Sequence, residues 1–255
     1  MEALDLYSLL FLSVMSFAAG FIDAIVGGGG LITVPALMWT GLPVHYVLGT
    51  NKVAAVFGSF TSLLTYARSG LINWHLMRKL FPLSFGGSLL GVLAVRAVPS
   101  DVLRPIVVIL LLVVFFYSLF KKDWGSVDRY QGESRRNLIL SAAIAFVFGF
   151  YDGFFGPGTG TFIVFSLLFL GFDFLKATAN TKVLNFGSNL AAVFLFIYFG
   201  TVNFYYGIVM GLTMIFGSVA GARFTIKRGA EFVRPVFLVI TTILIGKEII
   251  KVFFQ

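Results

Sequence analysis

Long apolar runs separated by short polar gaps set the pattern of this chain. The runs cover residues 4–26, 31–42, 53–68, 77–97, 102–120, 137–155, 160–171, 183–199, 204–225 and 232–254. A membrane-crossing helix needs about 20 apolar residues, so 31–42 and 160–171 are too short to span comfortably. Transmembrane β-strands would read as short alternating segments, and these runs are continuous. The pattern predicts an all-α polytopic membrane protein with eight full spans plus two short or re-entrant helices.

Each short run follows a glycine break. The first is Gly27-Gly28-Gly29-Gly30, reached through Gly20-Phe21-Ile22-Asp23; the second is Gly156-Pro157-Gly158-Thr159-Gly160, reached through Gly149-Phe150-Tyr151-Asp152. A helix does not comfortably run through four glycines or through Gly-Pro-Gly. Two helices are therefore expected to stop here and leave backbone groups free, which lipid tolerates only where they line a cavity or are covered by protein.

The two breaks belong to a wider repetition. Asp23 aligns with Asp152 at an offset of 129, and beyond the breaks the offset is 130. At that offset Gly41 meets Gly171, Lys52 meets Lys182, Gly70 meets Gly200 and Asn73 meets Asn203. Ser88 and Gly91 meet Ser218 and Gly221, and Arg104-Pro105 meets Arg234-Pro235. So many special residues at one offset mark an internal duplication: residues 1–120 as a first membrane repeat, 121–136 as a cytoplasmic linker and 137–255 as a second membrane repeat. Arg68, Arg78 and Lys79, the linker bases, and Lys227, Arg228 and Arg234 mark three gaps expected on the cytoplasmic side. An odd number of crossings in each half inverts one repeat relative to the other, which is the arrangement expected; an even number makes them parallel.

Composition narrows the class further. Of 255 residues 58% are hydrophobic and 12% charged, against about 25% charged in a soluble domain. The net charge of +8 sits in the loops, where it orients spans, and is no nucleic-acid signature. There is no Cys, which excludes a thiolate metal site. The absence of Lys and Arg from residues 1–51 argues against a cleavable signal peptide.

The candidate chemistry lies in the breaks and in the polar residues within apolar runs. A short helix starting at Gly28, Gly29 and Gly30, or at Gly158, Thr159 and Gly160, presents free N–H groups and the positive end of its dipole, a setting for an anion. The alternative is that these glycines only permit close helix packing. Lys52 and Lys182, in Gly49-Thr50-Asn51-Lys52 and Ala179-Asn180-Thr181-Lys182, read as opening long apolar helices; such lysines are intramembrane functional groups or snorkel to the interface. Asn51, Asn180, Asn185 and Asn189 supply directional hydrogen bonds to a substrate or between helices. Asp23 and Asp152 are coupling or structural acids: they carry a proton, or bond to a lysine or a free N–H. His45 and His75 are too sparse for a metal, and Trp39, Trp74 and Trp124 suit interfaces or loops. No metalloprotease, P-loop or dinucleotide motif is present, so no enzyme, catalytic residue or cofactor is expected.

Those same residues carry a family resemblance. Gly20-Phe21-Ile22-Asp23 with its glycine run, Gly49-Thr50-Asn51-Lys52 and Asn180-Thr181-Lys182-Val183-Leu184-Asn185-Phe186 resemble the TauE/SafE family of sulfite-exporter-like permeases, over about residues 8 to 252. The resemblance implies a multi-pass bacterial inner-membrane secondary transporter for sulfite or other sulfur-containing oxyanions and organosulfonates. The partners expected are a small anionic solute, the lipid bilayer and coupling protons, without nucleic acid; a homo-oligomer is allowed. The competing reading is a proton- or metal-cation carrier that uses the two aspartates.

Overall fold

The computed structural model describes residues 6–103, 105–106, 109, 112, 128–130, 132 and 134–228. Eight helices have both ends among them: α1 (Leu6–Val26), α2 (Gly30–Trp39), α3 (Val44–Arg68), α4 (Trp74–Arg96), α5 (Arg135–Phe154), α6 (Thr159–Phe169), α7 (Phe174–Tyr198) and α8 (Phe204–Arg228). Six of them are long and apolar enough to cross a membrane, and α2 and α6 are the two shorter apolar helices. Most of the expected span at 102–120, all of that at 232–254, most of the 121–136 linker, Trp124, and the Arg104 and Arg234-Pro235 matches lie outside the described residues.

Two helices begin well before the apolar runs that announced them. α3 starts at Val44 rather than at 53, and α7 at Phe174 rather than at 183. The polar stretches ending in Lys52 and Lys182 are therefore helical interior, in the third turn of each helix. The lysines neither open their helices nor snorkel; they are 1% and 0% exposed. Polar residues mark a helix boundary only where water must satisfy them, whereas here the polar side chains find partners contributed by other helices.

The bundle is assembled by small residues at close crossings. A Cβ on Gly153 would lie 2.0 Å from the Ser88 carbonyl oxygen, and one on Gly149 2.4 Å from that of Ser84. These contacts run up α4 and α5 together, so the two helices are parallel. α1 and α8 are joined in the same way, with Gly217 against Phe17 and Gly221 against Phe21. Ser84 Oγ donates to the Leu184 carbonyl (2.9 Å) and Ser88 Oγ to that of Ser188 (2.6 Å), which sets α4 parallel to α7. Gly207 meets Val53 and Gly211 meets Phe57, which sets α8 parallel to α3. Along α3 and α7 the order reverses: Gly49 faces Phe196, and Phe60 faces Phe186. Hence α1, α3 and α8 run one way, and α4, α5 and α7 the other.

α2 turns back beside α1, with Trp39 packed edge-on against Phe11 at 4.3 Å. After α6 the chain returns to the level where α5 begins: Arg129 N–H donates to the Gly171 carbonyl (2.6 Å), Tyr130 stacks on Phe172, and Lys176 pairs with Asp128. With these directions Arg68, Arg78, Lys79, Arg129, Arg135, Arg136 and Lys227 gather at one end of the bundle and Arg96 lies at the other. Trp39 and Trp74 sit half-exposed at opposite ends.

The crossings generate a contrast between glycines. Gly153→Ala is expected to destabilise the protein by about 1–3 kcal/mol, because its methyl meets backbone that cannot yield. Gly86 has open space where a Cβ would go, so Gly86→Ala is expected to be neutral or to stabilise by roughly 0.5–1 kcal/mol. Thermal unfolding of both variants in detergent measures the difference.

Candidate functional site

The two glycine breaks end their helices as the sequence demands. α1 stops at Val26, and Gly27 and Gly28 follow at φ +78° and +95°; after α5, Gly156 and Gly158 stand at +97° and +83°. L side chains rarely adopt that region, so glycine is required. Beyond Asp23, whose carbonyl still accepts from Gly27 N–H (2.9 Å), the break leaves the C-terminal carbonyls of α1 without helical donors. Tyr66 Oη donates to Ala24 (2.8 Å), Thr178 Oγ1 to Ile25 (3.1 Å) and Lys182 Nζ to Asp23. An ammonium at this negative helix end is also favoured by the dipole. On the other hairpin Tyr151 Oη donates to the Pro157 carbonyl (2.9 Å).

The tips of the two hairpins touch. A Cβ on Gly27 would lie 2.4 Å from the Gly160 carbonyl carbon, and one on Gly30 2.9 Å from Pro157 Cα. Beside this contact lies a small cavity of about 30 Å³, room for about two waters. Its wall includes Asp23, Gly28, Gly30, Asn51, Lys52, Asp152, Gly158, Thr159, Gly160, Asn185 and Asn189. Eleven of the fourteen residues singled out from the sequence thus converge on one space, although they come from six helices and the two breaks.

The remaining three are placed differently. Gly29 N–H donates to Asp23 Oδ1 (3.2 Å). Asn180 accepts from Asn73 N–H (2.9 Å) and donates to the Lys176 carbonyl (2.7 Å), so it ties α7 to the start of α4, away from the cavity. Thr50 holds the corresponding place on α3, accepting from Asn203 N–H (2.9 Å). Lys182 lies behind the wall, on Asp23.

Both lysines are paired with an aspartate from the opposite end of the sequence. Lys52 Nζ lies 2.8 Å from Asp152 Oδ1 and donates to Asn189 Oδ1 (3.1 Å). Lys182 Nζ lies 3.3 Å from Asp23 Oδ2. The four charges sum to zero, so the lysines do not create the net positive site that their chemistry alone suggested. The two pairs also differ. Both oxygens of Asp23 are occupied, by Gly29 and Lys182, whereas Asp152 Oδ2 and the nearby Asn185 Oδ1 are buried without a hydrogen-bond partner. The Gly28 and Gly158 amides, between helices, donate to no backbone acceptor among the described residues. The cavity therefore offers both donors and acceptors.

Gly156, Ala55 and Met214 also line it. Gly156 belongs to the second glycine break, while nothing in the local sequence marks Ala55 or Met214. The supporting Tyr66 and Thr178 stand outside the sequence candidates; the available signals are a tyrosine inside the run 53–68 and a threonine in the polar gap before 183. Among the described residues no group of three His, Cys, Asp or Glu is placed to hold a metal.

The sequence matches the family described as sulfite exporter TauE/SafE over residues 12–247. It is 40% identical over 242 residues to a protein of Sinorhizobium sp. named "Probable membrane transporter protein ORF9", covering 94% of this chain and 92% of that one. It is 37% identical over 247 residues to a Haemophilus influenzae protein named "Probable membrane transporter protein", covering 96% and 95%. Identity to the Escherichia coli K12 protein named "Probable membrane transporter protein YfcA" is 37% over 252 residues, covering 96% and 92%. No solved structure matches the chain.

The crossed pairs generate a double-mutant test. Removing one partner of a buried pair leaves the other charge uncompensated, a cost of about 3–5 kcal/mol. Lys52→Met and Asp152→Leu are each expected to destabilise on that scale, and the double variant by much less than their sum. Chemical or thermal unfolding in detergent checks this; additive losses would mean the two side chains do not interact.

Proposed function

The chain belongs to the TauE/SafE family, a multi-pass integral membrane protein of transporter kind, and from that premise we propose that it is a secondary carrier of small anions, sulfite or other sulfur-containing oxyanions and organosulfonates, in a bacterial inner membrane. The observation that carries this reading is the meeting of two broken hairpins at a buried polar cavity. Backbone interrupted at membrane depth and aimed at a shared space is how secondary transporters bind solutes near the midplane. Lys52 and the amides of Gly28 and Gly158 provide donors for anion oxygens, and Asn51, Asn185 and Asn189 provide directional bonds. Asp23 or Asp152 couples transport to protons.

The same reading takes the chain as two inverted repeats, 1–120 and 137–255, joined by a cytoplasmic linker at 121–136. Supporting it, the helices matched by the offset run in opposite directions: α1 against α5, α3 against α7 and α4 against α8. The contacts are exchanged along with them, Lys52 with Asp152 for Lys182 with Asp23, and Asn203 with Thr50 for Asn73 with Asn180. The basic end of the bundle is then cytoplasmic. Rocking one set of helices against the other around the hairpin tips alternates access.

One observation favours the competing cation reading: Asp152 Oδ2 and Asn185 Oδ1 are unsatisfied acceptors. A divalent-cation thermal shift lost in Asp23→Asn or Asp152→Asn would select it. For the anion reading the measurement is flux of labelled sulfite into proteoliposomes. Lys52→Ala is expected to reduce the initial rate by at least about tenfold, the scale of one lost charged hydrogen bond. Unchanged flux in Lys52→Ala, Lys182→Ala and the double variant would remove the lysines from the mechanism.

A further inference from the structure

The cavity's free acceptors carry a statement about which ionic form of a solute it takes. Asp152 is 3% and Asn185 4% exposed, yet Asp152 Oδ2 and Asn185 Oδ1 have no donor. Buried acceptors of this kind are costly unless something supplies a hydrogen. Two of the three N–H groups of the nearest cation are directed elsewhere, Lys52 Nζ lying on Asp152 Oδ1 and Asn189 Oδ1, which leaves one for a solute oxygen. An oxyanion without hydrogen would present only further acceptors to a carboxylate oxygen, and a dianion would add two charges to a site whose own charges cancel.

We propose that the site selects a singly protonated oxyanion, whose O–H donates to Asp152 Oδ2 or Asn185 Oδ1 while its other oxygens accept from Lys52 and from the Gly28 and Gly158 amides. This rests on the anion-carrier reading and narrows it to solutes that carry an O–H, so that organosulfonates without one drop out of the solutes proposed above. The proton then travels on the solute, and Asp152 remains an acceptor instead of being the proton carrier. Asp23 is no equivalent acceptor, because Gly29 and Lys182 occupy its oxygens. The two hairpins are thereby given different tasks in this conformation.

The test is competition in proteoliposomes of the full chain, with labelled sulfite and three unlabelled probes: sulfite, methanesulfonate (a monoanion without an O–H) and sulfate (a dianion without one). Above the pKa at which hydrogen sulfite loses its proton, the sulfite rate is expected to fall about tenfold per pH unit at fixed total concentration, following the protonated form. Methanesulfonate and sulfate are expected to compete at least about tenfold more weakly than hydrogen sulfite, since each leaves the acceptors unmet. Asp152 is faced by Lys52 of α3 and shares the cavity with Asp23 of α1, with Tyr151 beside it on its own helix; methanesulfonate, whose charge is constant over the range, reports any titration of those groups. In Asp152→Asn the amide donates where the carboxylate only accepted, so the discrimination against methanesulfonate is expected to shrink by about tenfold. Equal competition by methanesulfonate, or a sulfite rate that follows the dianion, overturns the proposal and leaves an anion carrier standing. If no anion of the panel is moved or competes at any pH, the carrier reading itself falls. The wild-type competition decides the matter even where Asp152→Asn does not fold.

Discussion

Four charged side chains sit inside a bundle made of apolar helices, and the cost of keeping them there organises the structure. An isolated ammonium or carboxylate is expelled from such surroundings or neutralised. Lys52 and Lys182 escape that outcome because each meets an aspartate contributed by a distant part of the chain. The pairing requires α3 to lie beside the end of α5, and α7 beside the end of α1. Once those neighbours are set, the two glycine breaks, a few residues past each aspartate, have nowhere to go but towards each other.

The helix crossings serve that requirement. Ser and Gly on α4 and α8 bring α5 and α1 into backbone contact, so the aspartates arrive at a fixed depth opposite the lysines. In a membrane such packing is driven by close approach and interhelical hydrogen bonds instead of by apolar burial. The freed carbonyls of Ala24 and Ile25 are then covered by Tyr66 and Thr178, and Lys182 adds a second donor to that of Asp23, which is what allows a helix to stop at this depth. Lys182 thus has two duties at once: it neutralises Asp23 and caps the helix that carries it.

The result is an uneven pair of hairpins. The first is sealed by its own hydrogen bonds, and the second, with Gly-Pro-Gly in place of four glycines, leaves a carboxylate oxygen open at the cavity. The sequence departure between the two breaks is where that inequality is written.

Much of this was open to reading in the one-dimensional chain. Membrane class, the two broken helices, the shortness of α2 and α6, and the need of Asp23, Asp152, Lys52 and Lys182 for partners all follow from local facts: run length, glycine conformation and the cost of charge among apolar residues. Helix starts did not, because the polar residues from Thr50 to Lys52 and from Asn180 to Lys182 look like ends until their partners are known. Nor did the pairing of each lysine with the aspartate of the other hairpin, the removal of Asn180 to a helix junction, or the zero net charge of the cavity. Local sequence decides which groups need a partner; only the packed helices decide which partner each one meets, because that depends on distances between residues more than a hundred positions apart.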